Sequence, residues 1–391
     1  MINLPKEDCC GCGACKAICP RKAITLSLDS EGFWYPLINQ DVCVNCGLCQ
    51  KTCPSINVNE SCINKTKAVG CKNTNVEEQL NSASGGIFTV IAKCILKKKG
   101  IVFGAKFRSD WNVEHGFIQE ESELDSLCRS KYVQSDASNS YPLVKDFLLK
   151  EKNVLFTGTP CQCLALRRFL RKDYDNLVVV DIVCHGVPSP KIWQQYLNEE
   201  SEKIGCSVSE IEEIRFKYKE KDKYHWKHPG FLIKWKNGKL FKIFSNKTSY
   251  ENGFLTNLFT RPSCAKCKMK PLASSSDLTI GDFWGVEKVY PDFMDKNGVS
   301  ILFINTKIGE LIYHEIQSQL LTLQISVEDA VHFNARVTKS ITMNKKRDMF
   351  FELVSNRSVD YSVNECLKKS LWEKTKNNLH LFKAKLSGLI K

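Results

Sequence analysis

The chain has 391 residues, 43% of them apolar, which is enough for two or three domains with a buried core and excludes wholesale disorder. Its formal charge of +13 raises nucleic acid as a partner, but the basic residues are mostly lysine, spread along the chain without interleaved aromatics, so no nucleic-acid partner is expected. No apolar run reaches the roughly 18 residues of a membrane span, the opening MINLPKEDCC carries no apolar signal core, and a cytoplasmic location is expected.

Twenty cysteines in a cytosolic chain point to metal rather than disulfides, because cytosolic thiols stay reduced. They are densest at the start, where residues 9–20 read CCGCGACKAICP and residues 43–54 read CVNCGLCQKTCP. Each run fits CxxCxxCxxxCP, the spacing of a two-cluster bacterial ferredoxin in which the fourth cysteine serves the other cluster. Cys9, Cys12, Cys15 and Cys53 are expected to hold one 4Fe-4S cluster, and Cys43, Cys46, Cys49 and Cys19 a second. A zinc ribbon wants two CxxC knuckles and would leave cysteines unused. Cys10 falls outside the pattern and reads as a bystander. Residues 1–60 are thus expected to form a duplicated, autonomous ferredoxin head.

The stretch NVNESCINKTK reads as a linker ending near residue 65. Beyond it the strand-like runs TKAVGCK, GIVFGAKF, NVLFTG and NLVVVDIVC alternate with the helical runs GGIFTVIAKCILKKK, CLALRRFLRK and PSPKIWQQYLNEESEKI, which predicts an α/β body. IEEIRFKYK and FLIKWKNGKLFKIF, the latter folded about Asn237-Gly238, look antiparallel. The sheet is therefore expected to be mixed, and the fold class α+β: a ferredoxin-like head fused to a mixed α/β body. The body divides into residues 65–150 and 151–330, followed by a helical tail over 331–391. The end of that tail, SLWEKTKNNLHLFKAKLSGLIK, reads as a basic amphipathic helix that either packs on the body or touches a membrane surface.

No dinucleotide fingerprint or Walker loop is present. The informative body segments are SASGG (82–86), SKYVQS (130–135), FTGTPCQ (156–162), DIVCHGVPSP (181–190), and RPSCAKCKMK followed by SDLTIGDFWG. SASGG precedes a helical run, so Ser84, Gly85 and Gly86 would present bare amides at a helix N-terminus, where phosphate binds. GTP in FTGTPCQ lies at a strand end before a helix, where an α/β sheet has its ligand crevice. Each such turn also reads as a plain cap or loop.

Together and in this order these segments resemble the beta-subunit family of coenzyme F-420 hydrogenases and dehydrogenases, over about residues 65–305, and a ferredoxin head fused in front is a common arrangement among its relatives. The resemblance implies a body that binds FAD and one further 4Fe-4S cluster. It places Lys131, Gln134, Ser135, Gly158 and Thr159 near the flavin, and makes Cys161, Cys184, Cys264 and Cys267 the thiolates of the third cluster, with Cys163 competing with Cys161. Cys62, Cys71, Cys94, Cys128, Cys206 and Cys366 read as small buried or incidental residues.

Of His115, His185, His225 and His228, His185 beside Cys184 is the candidate proton donor, with packing as its alternative role. Trp226 and Trp284 read as core or flavin-stacking residues. The implied function is an iron-sulfur flavoprotein oxidoreductase that passes electrons from a partner such as a ferredoxin or reductase, through the clusters and FAD, to a small organic substrate. Bacterial relatives that look like this chain accompany surface-polysaccharide genes, which suggests that setting. The second reading is an electron-relay subunit of a larger complex with no substrate of its own.

Overall fold

The computed structural model describes residue 2 and residues 4–368; the expected basic helix over 370–391 lies outside them. In the head, strands β1 (Ile24–Leu28) and β2 (Trp34–Ile38) pair antiparallel, and the short helices Ala14–Ile18 and Leu48–Thr52 follow the two cysteine loops. Each helix opens on a left-handed glycine, Gly13 at φ 77° and Gly47 at φ 75°. A side chain would be strained there, so the duplicated sequence folds into a duplicated turn.

The body is built on eight strands: β3 (Lys67–Asn73), β4 (Ile101–Phe107), β5 (Val113–Ile118), β6 (Val154–Gly158), β7 (Leu177–Ile182), β11 (Leu278–Asp282), β12 (Ser300–Ile304) and β13 (Leu320–Ile325). Between β7 and β11 the chain forms a separate antiparallel sheet of β8 (Ile211–Tyr218), β9 (Gly230–Trp235) and β10 (Leu240–Phe244). The large sheet runs β13-β3-β12-β11-β7-β6-β4-β5. Its centre, β4, β6, β7 and β11, is parallel, and the strands on both flanks are antiparallel, so it is mixed as expected.

Central strands read as unbroken apolar runs because both faces are covered. Along β7, Val178 and Val180 pack on one side with the helix Ile87–Lys97, while Leu177 and Val179 pack on the other with the helix Pro160–Leu170. This two-residue alternation follows from strand geometry. The helix Pro190–Ile204 and the tail helices Arg347–Val354 and Val359–Leu367 enclose a third core with the small sheet, around Trp193, Tyr196 and Tyr250.

The expectation of an autonomous head is corrected by its seat. Cys12 and Ala14 are buried in one cluster with Tyr141 and Phe156 of the body. Tyr141 Oη donates to Cys12 O at 2.9 Å, Lys191 Nζ to Ser30 O at 2.9 Å and Lys268 Nζ to Ser55 O at 2.8 Å, while Arg347 grips Glu31. A segment of this size with two five-residue helices buries too little apolar surface by itself, and the body supplies the missing half of its core.

Candidate iron-sulfur centres and ligand cleft

The first cysteine loop and the residue after the second helix meet. The charges of Cys9 and Cys53 reach Cys15, and those of Cys10, Cys15 and Cys53 reach Cys12. Burial pushes Cys15 up to about 12 and Cys53 up to about 11, so loading iron must displace protons from these thiols. Cys19, Cys43, Cys46 and Cys49 line a single cavity with Pro20, Ile24, Ile38 and Val44. Cys46 is the exposed member. Both sets offer sulfur alone, which suits iron-sulfur clusters over hard cations. Among the described residues no three Cys, His, Asp or Glu groups close on one point as a single ion requires; a cubane instead spreads its four thiolates over its corners.

The body cysteines come from three segments. β6 ends at Gly158, and Thr159 with Gln162 forms a reciprocal cap on the next helix, Thr159 N–H donating to Gln162 Oε1 at 3.0 Å. That turn leaves Cys161 Sγ 3.2 Å from Thr159 Oγ1. After β7, residues 184–188 run beside 260–264: Arg261 N–H donates to Val187 O at 2.9 Å, and Pro188 bridges Thr260. A Cβ on Gly186 would lie 2.7 Å from Thr260 and 3.5 Å from Cys264 Sγ. Burial first, then neighbouring thiols, lifts Cys184 to about 11 and Cys264 to about 12. Cys267 lies within range of Cys184. Cys163 is separated from this group, its thiol directed at Val180 O at 3.6 Å in the core.

Cys10 is not the bystander that its place outside the motif suggested. Hydrogen bonds from Cys12 and Cys161 pull its thiol well below the ordinary value, and its charge is felt at Cys53 and Cys267. It connects the head set to the body set.

The flavin candidates fall in different surroundings. Gly85 and Gly86 are buried. The Gly85 amide is already donated to Ser300 Oγ at 2.9 Å, and a Cβ there would meet Cys71 O at 2.6 Å. The reading of this turn as bare amides is therefore corrected at Gly85: the chain closes the turn against its own sheet. Ser84 Oγ donates to Val299 O at 2.9 Å, and its carbonyl accepts from Lys219 Nζ at 3.0 Å. Gln134 belongs to the head–body seam, reaching Gly11 O at 3.5 Å.

Ser135, Gly158 and Thr159 surround a buried network. His115 Nδ1 meets Ser135 Oγ at 2.9 Å, and Gln162 Nε2 donates to the same hydroxyl at 2.9 Å. Burial pushes His115 down to about 4, so this imidazole stays neutral. Lys131 lines a cleft of about 460 Å³ with Phe107, Trp111, Arg129, Arg215 and Phe216, and burial lowers it to about 8. Arg129 also holds Asn81 O at 3.2 Å, tying the cleft wall to the start of the SASGG turn. Asp125, Glu212 and Glu213 line the same cleft, with Arg129 paired to Asp125 and Arg215 to Glu213, so that among the described residues Lys131 is the cleft cation without a carboxylate partner; the volume lies in the range of small-molecule sites.

His185 is held by Asn257 Oδ1 at 2.8 Å and packs edge-on to Phe254. These are the contacts of a packed residue. Trp226 and Trp284 stack on one another at 5.2 Å, with Lys217 over Trp284. The residues that motif reading passed over are Cys10, Gln162 and Arg261. Of these Arg261 carried a signal, standing at the head of RPSCAKC, and Gln162 carried one as the third residue after the helix cap Thr159.

No curated protein is similar enough to this chain to match. Among solved structures, a chain of the F420-reducing [NiFe] hydrogenase complex from Methanosarcina barkeri is similar, with 16% identity, a TM-score of 0.45, and coverage of 76% of this chain and 94% of that one. Residues 8–57 match the model of the 4Fe-4S dicluster domain, and residues 151–328 match the model of the carboxy-terminal region of the coenzyme F420 hydrogenase/dehydrogenase beta subunit. Residues 65–150, which carry the SASGG turn, lie outside both matches. The chain therefore joins a segment that matches a 4Fe-4S dicluster domain to a body that is similar, over residues 151–328, to the carboxy-terminal region of the coenzyme F420 hydrogenase/dehydrogenase beta subunit.

Proposed function

We propose that this chain is an iron-sulfur flavoprotein oxidoreductase, taking electrons from a protein donor at the head and delivering them to a small organic substrate at the body. When bound, the clusters supply single-electron transfer and the flavin converts it to a hydride equivalent. The observation that carries the reading is the continuity of cysteines, from exposed Cys46 through the Cys9–Cys53 set and Cys10 to Cys161, Cys184, Cys264 and Cys267. The last four would hold a third cluster, at the carboxyl ends of β6 and β7 where α/β sheets bind ligands. Lys131, which has no carboxylate partner among the described residues, would meet the flavin phosphates, and Phe107, Trp111 and Phe216 would exclude water from its ring.

Anaerobic iron and sulfide analysis tests the cluster content: about twelve irons are expected, and about eight would remove the body cluster. Acid release of flavin tests the cleft, and Lys131→Met should lower flavin content without lowering iron. The relay reading is favoured by one feature of the head, where Leu37 and Val44 are 62% and 60% exposed and Cys46 is also exposed, as on a face that docks a partner. A loaded protein that releases no flavin would select the relay.

A further inference from the structure

Arg261 is fully buried, and each hydrogen bond from its guanidinium goes to a neutral oxygen. Nε donates to Cys9 O at 2.7 Å, Nη1 to Gln134 Oε1 at 3.1 Å and Nη2 to Trp34 O at 2.9 Å. The group also lies over the rings of Tyr35, at 4.4 Å, and Phe33, at 5.4 Å. Other well-covered arginines face acids, Arg167 with Asp277 and Arg347 with Glu31; among the described residues Arg261 forms no such pair. A cation taken out of water without an opposite charge is strongly unfavourable. A counter-charge is therefore required, and no carboxylate provides it.

Cysteines are what surround it. The charge of Arg261 acts on Cys9, Cys10 and Cys264, and Gly11 in the first cysteine loop makes room for it, since a Cβ there would lie 2.6 Å from Nη1. A cubane with four thiolates is net anionic, and reduction adds another negative charge, which a fixed cation in a water-poor site stabilises. Among the described residues the second head set has no buried arginine of this kind. The arginine that lines its cavity, Arg21, is exposed and screened by water.

We propose that Arg261 is a positioning residue that supplies the counter-charge for the cluster held by Cys9, Cys12, Cys15 and Cys53, raising its reduction potential above that of the twin cluster and tying the loaded head to the body. The proposal rests on the head-ligand reading and is independent of FAD. Its consequence is direction: the exposed end of the head is the weaker electron holder, and the end seated on the body the stronger.

The test is an EPR-monitored redox titration of the full-length, anaerobically reconstituted protein. Arg261→Gln should move one head cluster to lower potential and leave its twin in place, while Arg261→Lys, which keeps the charge but not the fork, should hold the potential closer to wild type. Gln134→Glu sets a carboxylate against Nη1 without removing the guanidinium, so it should shift the same cluster downward, and it decides the matter alone if Arg261→Gln does not fold. Unmoved potentials at unchanged iron content, or equal shifts in both clusters, would overturn the proposal and leave Arg261 a packing residue. Fewer than about eight irons in the wild type would overturn the ligand reading beneath it.

Discussion

Glu251, in the helix Ser249–Leu255, has a buried carboxyl whose Oε1 has no hydrogen-bond partner. Burial lifts it from 4.5 to about 7. Between those values the folded chain holds a proton that the unfolded chain has released, so stability from this group falls as pH rises through the window and is lost above pH 7. Glu251→Gln should therefore stabilise by about 2 kcal/mol at pH 8 and by clearly less at pH 5, read as melting temperatures at the two values. Nothing in SYENGFL announces this, because burial of a charge depends on what packs over it. Gly85 shows the same dependence. SASGG reads as a phosphate cradle, yet the contacts with Ser300 and Cys71 that occupy it come from strands outside the turn, Ser300 being distant in the chain. A substitution at Gly85 would therefore report on packing before it reported on any ligand.

At the scale of elements, the helix Pro160–Leu170 separates two cysteines that the motif left in competition. Residues two apart on a helix point to nearly opposite sides, so Cys163 enters the core while Cys161 faces Cys10. Cys161→Ala should lower iron content by about four atoms per chain if the body cluster exists. Cys163→Ala should leave iron unchanged and cost on the order of 1–2 kcal/mol for a filled core position. Iron analysis with thermal melts checks both, and loss of iron from Cys163→Ala alone would reverse the assignment. The capping box and the strand before it were legible in FTGTPCQ, since Thr159, Pro160 and Gln162 carry that signal locally. Which thiol faces Cys10 was not, because it depends on where the sheet lies relative to the helix.

Over the whole molecule, the head cysteines and the body cysteines should respond differently to substitution. Cys46 is exposed, at the end of the head far from the body cysteines in the chain of contacts. Cys46→Ser should slow reduction by a protein donor, while the body keeps its melting temperature and the flavin proposed for it. In the proposed body cluster Cys264 would join the 260–267 loop to the ends of β6 and β7, so Cys264→Ser should lose thermal stability and the proposed flavin together, because ligation that bridges distant segments contributes folding free energy. Flavin content, melting temperature and reduction by a small dye, measured side by side, check this; equal loss in both variants would mean that head and body fold as one cooperative unit. The seat of Cys12 and Ala14 in the body core makes that comparison sharper than an autonomous head would. The sequence by itself determined the two cysteine runs, the mixed α/β order and the glycine turns, because cluster spacing, strand alternation and backbone freedom are local properties read within a few residues. Only the tertiary structure decided that Cys10 bridges two sets of thiols, that Gly85 is closed against Ser300, and that Arg261 lies unpaired beneath the head, because each depends on segments distant in the chain being packed together away from water.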